Sequence, residues 1–159
     1  MGLSSMFPPY PVASCARNES QEGLHFGASH TKKWLIDSGC GWDLVQECHV
    51  AHLEDLIRTP QFTPRMWTAN GVTRAEHEVP LYISELDEHC VPFILKSTLD
   101  VLTMGRRCME DGYSFVWKAK SNQPYFRKPD GTRIYLTVEH YVQNLTTNLV
   151  DVAAAAPES

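Results

Sequence analysis

Short apolar runs separated by turn residues dominate the chain, and the pattern predicts strands more than helices. Lys33-Trp34-Leu35-Ile36 is a compact apolar run that stops abruptly at Asp37-Ser38-Gly39, a strand delivered into a turn. Residues 43–57 carry apolar positions at Leu44, Val45, Val50, Leu53, Leu56 and Ile57, which fit either a short helix or a strand with a turn. Asn70-Gly71 is the strongest turn signal. Both residues tolerate positive φ, so the pair suits a two-residue hairpin connection with arms at residues 65–68 and 72–74. Residues 79–83 and 91–95 read as two strands with Asp87-Glu88-His89 as a loop between them. Pro80 and Pro92 are expected at an edge or a strand start, where no ladder donor is needed.

Further on, residues 100–105 read as a strand leading into a short helix over 106–110, which Gly112 ends. Residues 113–117 form another strand. Pro129-Asp130-Gly131-Thr132 is a turn, followed by a strand over 133–138. Glu139-His140-Tyr141-Val142 fits the start of a helix. The segments divide the chain into an extended or disordered leader over 1–30, a domain over 31–145 and a flexible tail over 146–159. The leader is rich in Pro and polar residues, and is expected to be removed by self-processing.

Composition narrows the field. The chain has 159 residues, 43% hydrophobic and 21% charged, which suits one globular domain. No run approaches the roughly 18 apolar residues of a membrane span. Net charge is -5, with Lys and Arg scattered in short clusters such as Lys32-Lys33 and Arg106-Arg107. Neither a membrane nor nucleic acid is therefore expected as a partner. The five cysteines (Cys15, Cys40, Cys48, Cys90, Cys108) lack CxxC spacing and read as reduced thiols.

The chemistry concentrates at Asp37-Ser38-Gly39. An apolar strand running into a Ser-Gly turn holds a carboxylate in a fixed place, Gly39 permits close backbone approach, and Ser38 can lock the turn by hydrogen bonds. The plainer alternative is an Asp that caps a turn, as Asp often does at strand ends. His49 and His52 could share one face of a helix with Cys48 and Glu54 nearby, but fuller zinc signatures are missing and no metal is expected. There is no Gly-rich phosphate loop. Cys40, directly after the tripeptide, reads either as a small hydrophobe or as a redox-sensitive thiol.

With its surroundings, the segment Trp34-Leu35-Ile36-Asp37-Ser38-Gly39 resembles the retropepsin family, and more closely the aspartic protease of copia-type retrotransposons. The second matching stretch is Asp100-Val101-Leu102-Thr103-Met104-Gly105-Arg106-Arg107-Cys108, followed by Gly112-Tyr113, with the Asn-Gly hairpin midway. Cys40 and Gly41 stand where Ala commonly follows the tripeptide, a departure from the family pattern. The resemblance spans about residues 31–140 and implies a mostly β, retropepsin-like closed β-barrel half with one or two short helices. It also implies an aspartic endopeptidase that works as a homodimer on a retroelement polyprotein, without a cofactor, in the cytoplasm or within a virus-like particle.

In that reading Asp37, Ser38 and Gly39 are catalytic. Cys40 and Gly41 on the floor, with Met66, Trp67, Thr68, Ala69, Asn70 and Gly71 in a flap, contact a polypeptide substrate. Arg106 is a structural arginine paired with Asp43, and residues 133–145 supply dimer strands. Only one Asp-Ser-Gly occurs, so a second copy of the chain must supply the other carboxylate. Two competing readings remain: a catalytically silent module of the same fold that dimerises or binds a peptide, and a thiol enzyme using Cys40.

Overall fold

The computed structural model describes residues 31–68 and 71–148. The expected leader over 1–30 and most of the expected tail lie outside these residues, as do Ala69 and Asn70. The elements are β1 (Thr31–Asp37), β2 (Leu44–Gln46), α1 (Glu47–Val50) with a 3-10 turn (Ala51–Leu56), and β3 (Arg65–Thr68). There follow β4 (Gly71–Arg74), β5 (His77–Glu78), β6 (Leu81–Ile83), β7 (Glu88–Cys90), β8 (Phe93–Leu95) and β9 (Val101–Thr103). After α2 (Met104–Met109) come β10 (Ser114–Val116), β11 (Tyr125–Arg127), β12 (Arg133–Tyr135), β13 (Thr137–Glu139) and β14 (Val142–Asn148). The protein is mostly β with short helices, and none of its described helices is long and apolar enough to cross a membrane.

The main sheet has seven strands in the order β13-β14-β1-β9-β2-β8-β5. It is open: β13 and β5 are its edges, and closure would need them to pair. The hairpins β3–β4 and β6–β7 form separate ribbons, and β10-β11-β12 a separate sheet. The expected closed barrel half is therefore not formed among the described residues. Both faces of the main sheet are covered. On one face Trp34, Ile36, Val45, Leu102, Leu145 and Phe126 join a large core. On the other, Leu44, Phe93, Leu95, Val101 and Met66 form a second cluster, with Leu35, Cys40 and Trp42 packed on it. Burial on both sides explains why β2, β8 and β9 read as continuous rather than alternating apolar runs.

One topological feature positions the site. β9 runs parallel to β1, with Asp37 opposite Thr103, and Leu44 of β2 pairs antiparallel with Val101 of β9. The chain leaves β1, passes over the C-terminal end of β9 in residues 38–43, and returns on its far side as β2. A third strand is thus inserted into what would otherwise be a hairpin.

Several local expectations shift. The register pairs Thr68 with Gly71, so Gly71 is not a loop residue as expected but opens β4, at φ +108°. Asp87-Glu88-His89 is only partly loop, because Glu88–Cys90 pairs back on β6. Pro80 and Pro92 do directly precede strands. Glu139–Val142 forms a hairpin rather than a helix start: Glu139 pairs with Val142 while His140 (φ 49°) and Tyr141 (φ 67°) take the two positive-φ positions of a tight turn. β14 continues through Asn148, past the expected boundary at 145, because it pairs along β1 from Thr31 to Leu35.

Candidate functional site

Asp37 ends β1, where the ladder stops and the chain turns. The Gly39 N–H donates to Asp37 Oδ1 at 2.7 Å, which fixes the carboxylate across the turn. Any Asp at a strand end can make this bond, so the bond alone does not single out Asp37. A side chain at residue 39 would begin 3.3 Å from the same oxygen, so glycine keeps the carboxylate uncrowded. Behind the turn, Gln143 Nε2 donates to the Ile36 carbonyl at 2.6 Å, tying the end of β1 to β14.

What distinguishes Asp37 is the groove beside it. An open groove of about 1240 Å³ is lined by Leu35, Asp37, Gly39, Cys40, Gly41 and Trp42 on one side. The hairpin residues Met66, Trp67, Thr68, Gly71, Val72 and Thr73 line another side, and residues 94–99 also contribute. Eight of the residues singled out from sequence therefore share one groove: Asp37, Gly39, Cys40, Gly41, Met66, Trp67, Thr68 and Gly71. Ser38 lies instead in a neighbouring recess, with Cys40, Gly41, Trp42, Thr103 and the α2 residues Gly105, Arg106, Met109 and Glu110. Met66 is buried in the second core cluster and anchors the hairpin. Trp67 is 86% exposed, so it is not a core aromatic. The candidate flap tip, Ala69 and Asn70, falls outside the described residues.

The loop between Asp37 and β2 is held from below by Asp43. Arg107 grips it with both nitrogens, Nη1 to Oδ1 at 2.8 Å and Nη2 to Oδ2 at 3.1 Å. The Thr103 N–H also donates to Asp43 Oδ1 at 2.8 Å, and Arg107 Nη1 to the Thr103 carbonyl at 2.9 Å. Arg107 reaches Glu88 Oε1 as well, at 2.6 Å. The guanidinium is almost fully buried, and its Nε has no hydrogen-bond partner among the described residues. Burial is the largest influence and would lower its pKa, but the hydrogen bonds to Asp43 together with the charges of Asp43 and Glu88 outweigh it and hold the group above the ordinary arginine value. Glu88 is shifted upward, because burial outweighs the attraction of Arg107.

The structural arginine is thus Arg107, not Arg106. Arg106 is exposed on α2 and pairs with Glu110 at 2.9 Å. The helix begins at Met104, so the residue that points back toward Thr103 is the one four positions on. That i, i+4 spacing is the signal in the sequence that identifies it. Asp43 is the acid partner, as expected. Glu88 went unnoticed because residues 87–89 read as an exposed loop.

Cys40 is half-buried, and its thiol donates to the Trp42 carbonyl at 3.1 Å. Burial pushes the thiol up, and the nearby carboxylates of Asp37 and Asp43 add to this, so the neutral form is favoured. These surroundings argue against a nucleophilic thiolate. Cys40, Cys90 and Cys108 are free thiols, whereas Cys48 is disulfide-bonded, a departure from five reduced cysteines. His49 Nδ1 lies 2.7 Å from Asp100 Oδ2, and the backbone changes from α to 3-10 before His52. No group of three or more His, Cys, Asp or Glu side chains suited to a metal occurs among the described residues.

The class defined by this geometry is a mostly β protein with a carboxylate-bearing turn in a groove edged by a hairpin. No family model matches the chain, and no curated protein or solved structure matches it.

Proposed function

We propose that the chain is a retropepsin-like aspartic endopeptidase, active when two copies bring their Asp37 carboxylates together. The observation that carries this reading is the shared groove: Asp37, held by Gly39, lies on the same open channel as the β3–β4 hairpin. The inserted strand β9 and the Arg107–Asp43 clamp give the loop a rigid base, which a positioned carboxylate needs. A polypeptide substrate would lie extended in the groove and pair its backbone with exposed strand edges.

The chemistry requires two carboxylates. Held a few ångström apart they share one proton, so the ionised one takes a proton from water while the other polarises the scissile carbonyl. Water attacks directly, and no acyl-enzyme forms. The second copy does not enter by adding a strand to β14, because β14 is already flanked by β13 and β1. It approaches through the Ser38 loop and α2, where Met109 is 87% exposed, or along the free edge of β13.

The test is cleavage of a peptide library from about pH 3.5 to 7.5, at several protein concentrations, for wild type and Asp37→Asn. The expected result is acid-favoured cleavage that rises more steeply than linearly with concentration and is abolished in the variant. Cleavage that persists in Asp37→Asn sinks the assignment. Folded protein that cleaves nothing but binds extended peptides saturably points to the silent module.

A further inference from the structure

The net charge of -5 conceals a segregation that the fold makes physical. Residues 113–136 contain five basic side chains (Lys118, Lys120, Arg127, Lys128, Arg133) and one acid, Asp130. That leaves 9 basic and 18 acidic residues elsewhere, from totals of 14 and 19, so a +4 segment sits in a -9 remainder. The segment is the three-stranded sheet β10-β11-β12 with its turns.

The register sorts its two faces. Phe115, Phe126 and Ile134 align across the strands and pack on the large core. The alternate positions face away: one row is Ser114, Arg127 and Arg133, the next Val116, Tyr125 and Tyr135. The Tyr125 and Tyr135 rings lie 5.5 Å apart and tilted at 54° to each other, and the Arg133 guanidinium lies 5.1 Å over the Tyr125 ring. Tyr135 is 56% exposed, and Arg127 and Arg133 are exposed beside it. Beyond the Val116 end, the turn at 118–121 presents Lys118 and Lys120, with Lys120 at φ 62° and Trp117 Nε1 bonded to the Ser121 carbonyl. Lys128 points the other way, to the Leu86 carbonyl and the Tyr113 ring, and does not contribute.

We propose that this outer face binds single-stranded nucleic acid. Four exposed cations meet a phosphate backbone, and the exposed Tyr135 ring, beside a Tyr125 that already carries an arginine on its face, offers a base-stacking platform. An acidic polypeptide would satisfy the cations but would leave the exposed aromatic ring without a matching planar partner. The sequence shows the basic surplus of residues 113–136, but that Arg127 and Arg133 share a face with Tyr135 emerges only once the three strands pair. The proposal is independent of any role for Asp37.

The experiment is fluorescence anisotropy of the full chain with labelled oligo-dT and oligo-U of twelve nucleotides, and with poly-glutamate of equal length. Saturable oligonucleotide binding is expected to weaken with salt at a log–log slope of about -0.7 per phosphate contacted, roughly -3 for four cations. Tyr135→Ala is expected to weaken it about tenfold, Tyr135→Phe to leave it within about twofold, and Arg127→Ala with Arg133→Ala to flatten the salt slope. These side chains are exposed, and thermal melting confirms that each variant is folded. Poly-glutamate binding as tight as the oligonucleotides and indifferent to Tyr135→Ala overturns the proposal in favour of an acidic peptide. No oligonucleotide binding at low salt, or binding unchanged in the double arginine variant, overturns it too.

Discussion

Two buried ion clusters flank the β1–β9 pair, one at each end, and they are built differently. At the Asp37 end, Arg107 makes two bonds to Asp43 and one each to Glu88 and the Thr103 carbonyl. At the other end, Lys32 lies 3.5 Å from Asp100 and over the Trp34 ring at 4.1 Å, while Asp100 also takes the Gln46 N–H at 2.8 Å and His49. Both cations are buried, yet the consequences oppose. Burial pulls the Lys32 pKa down and Asp100 does not restore it, whereas Arg107 is held above its ordinary value. A planar fork can satisfy several acceptors at once, and a single ammonium with a loose contact cannot. The fold places its geometrically exacting cluster beneath the loop that follows Asp37, and its looser one where β1, β2 and α1 meet at Asp100.

The sharpest way to break this contrast is Arg107→Met. It leaves the buried Asp43 and the half-buried Glu88 without their cation, and a loss of about 3–5 kcal/mol is expected in urea unfolding. Arg107→Lys recovers only part of this, since it cannot grip Asp43 with two nitrogens. Gly39→Ala acts at the same end but on function: the new methyl crowds Asp37 Oδ1, so cleavage falls about tenfold while stability changes by under about 1 kcal/mol. A tenfold loss of stability instead would mean that residue 39 serves the fold.

Lys32→Met is expected to cost about 1 kcal/mol or less at neutral pH, because an apolar chain of similar length replaces a poorly compensated charge. Its signature is in the pH dependence. A lysine whose folded pKa lies below its unfolded value of 10.5 is protonated more in the unfolded chain within that window. Stability then rises with pH as it approaches 10.5, and Lys32→Met removes that rise. Persistence of the rise in the variant would assign it to another group. The smallest effect is expected for Arg106→Ala, within about 0.5 kcal/mol, since its bond to Glu110 is an exposed helical pair. A loss comparable to that of Arg107→Met would reverse the assignment of the structural arginine.

Much of the framework was legible because local rules decide it. The run ending at Asp37, the order of a strand and then a short helix over 100–110, and the turns at Gly112 and Gly131 follow from apolar runs and turn chemistry, although the helix starts at Met104, two residues before the expected 106. Asp43 was legible as a partner, but its arginine was misread by one residue because the helix start at Met104 sets which side chain faces inward. His140 and Tyr141 hid a hairpin, since neither residue advertises positive φ. Glu88, Gln143 and the face of Tyr135 with Arg133 were not legible at all. Glu88 and Gln143 acquire their surroundings from segments far away in the sequence, and Tyr135 with Arg133 only once β12 pairs with β11. The open edges of the main sheet belong to the same category: whether β13 meets β5 depends on the packing of the whole.

The pairing of β1 with β14 sets a clock on the ribosome. Asp37 is made well before the strand that braces its backbone, which ends at Asn148 and whose Gln143 supplies the bond to Ile36. At ordinary elongation rates the delay is on the order of ten seconds. During that interval the nascent chain carries Asp37 on a strand that has neither neighbour until β9 emerges and only one until β14 does. The site is completed only as the last described strand emerges, so a chain arrested before that point carries Asp37 without its brace.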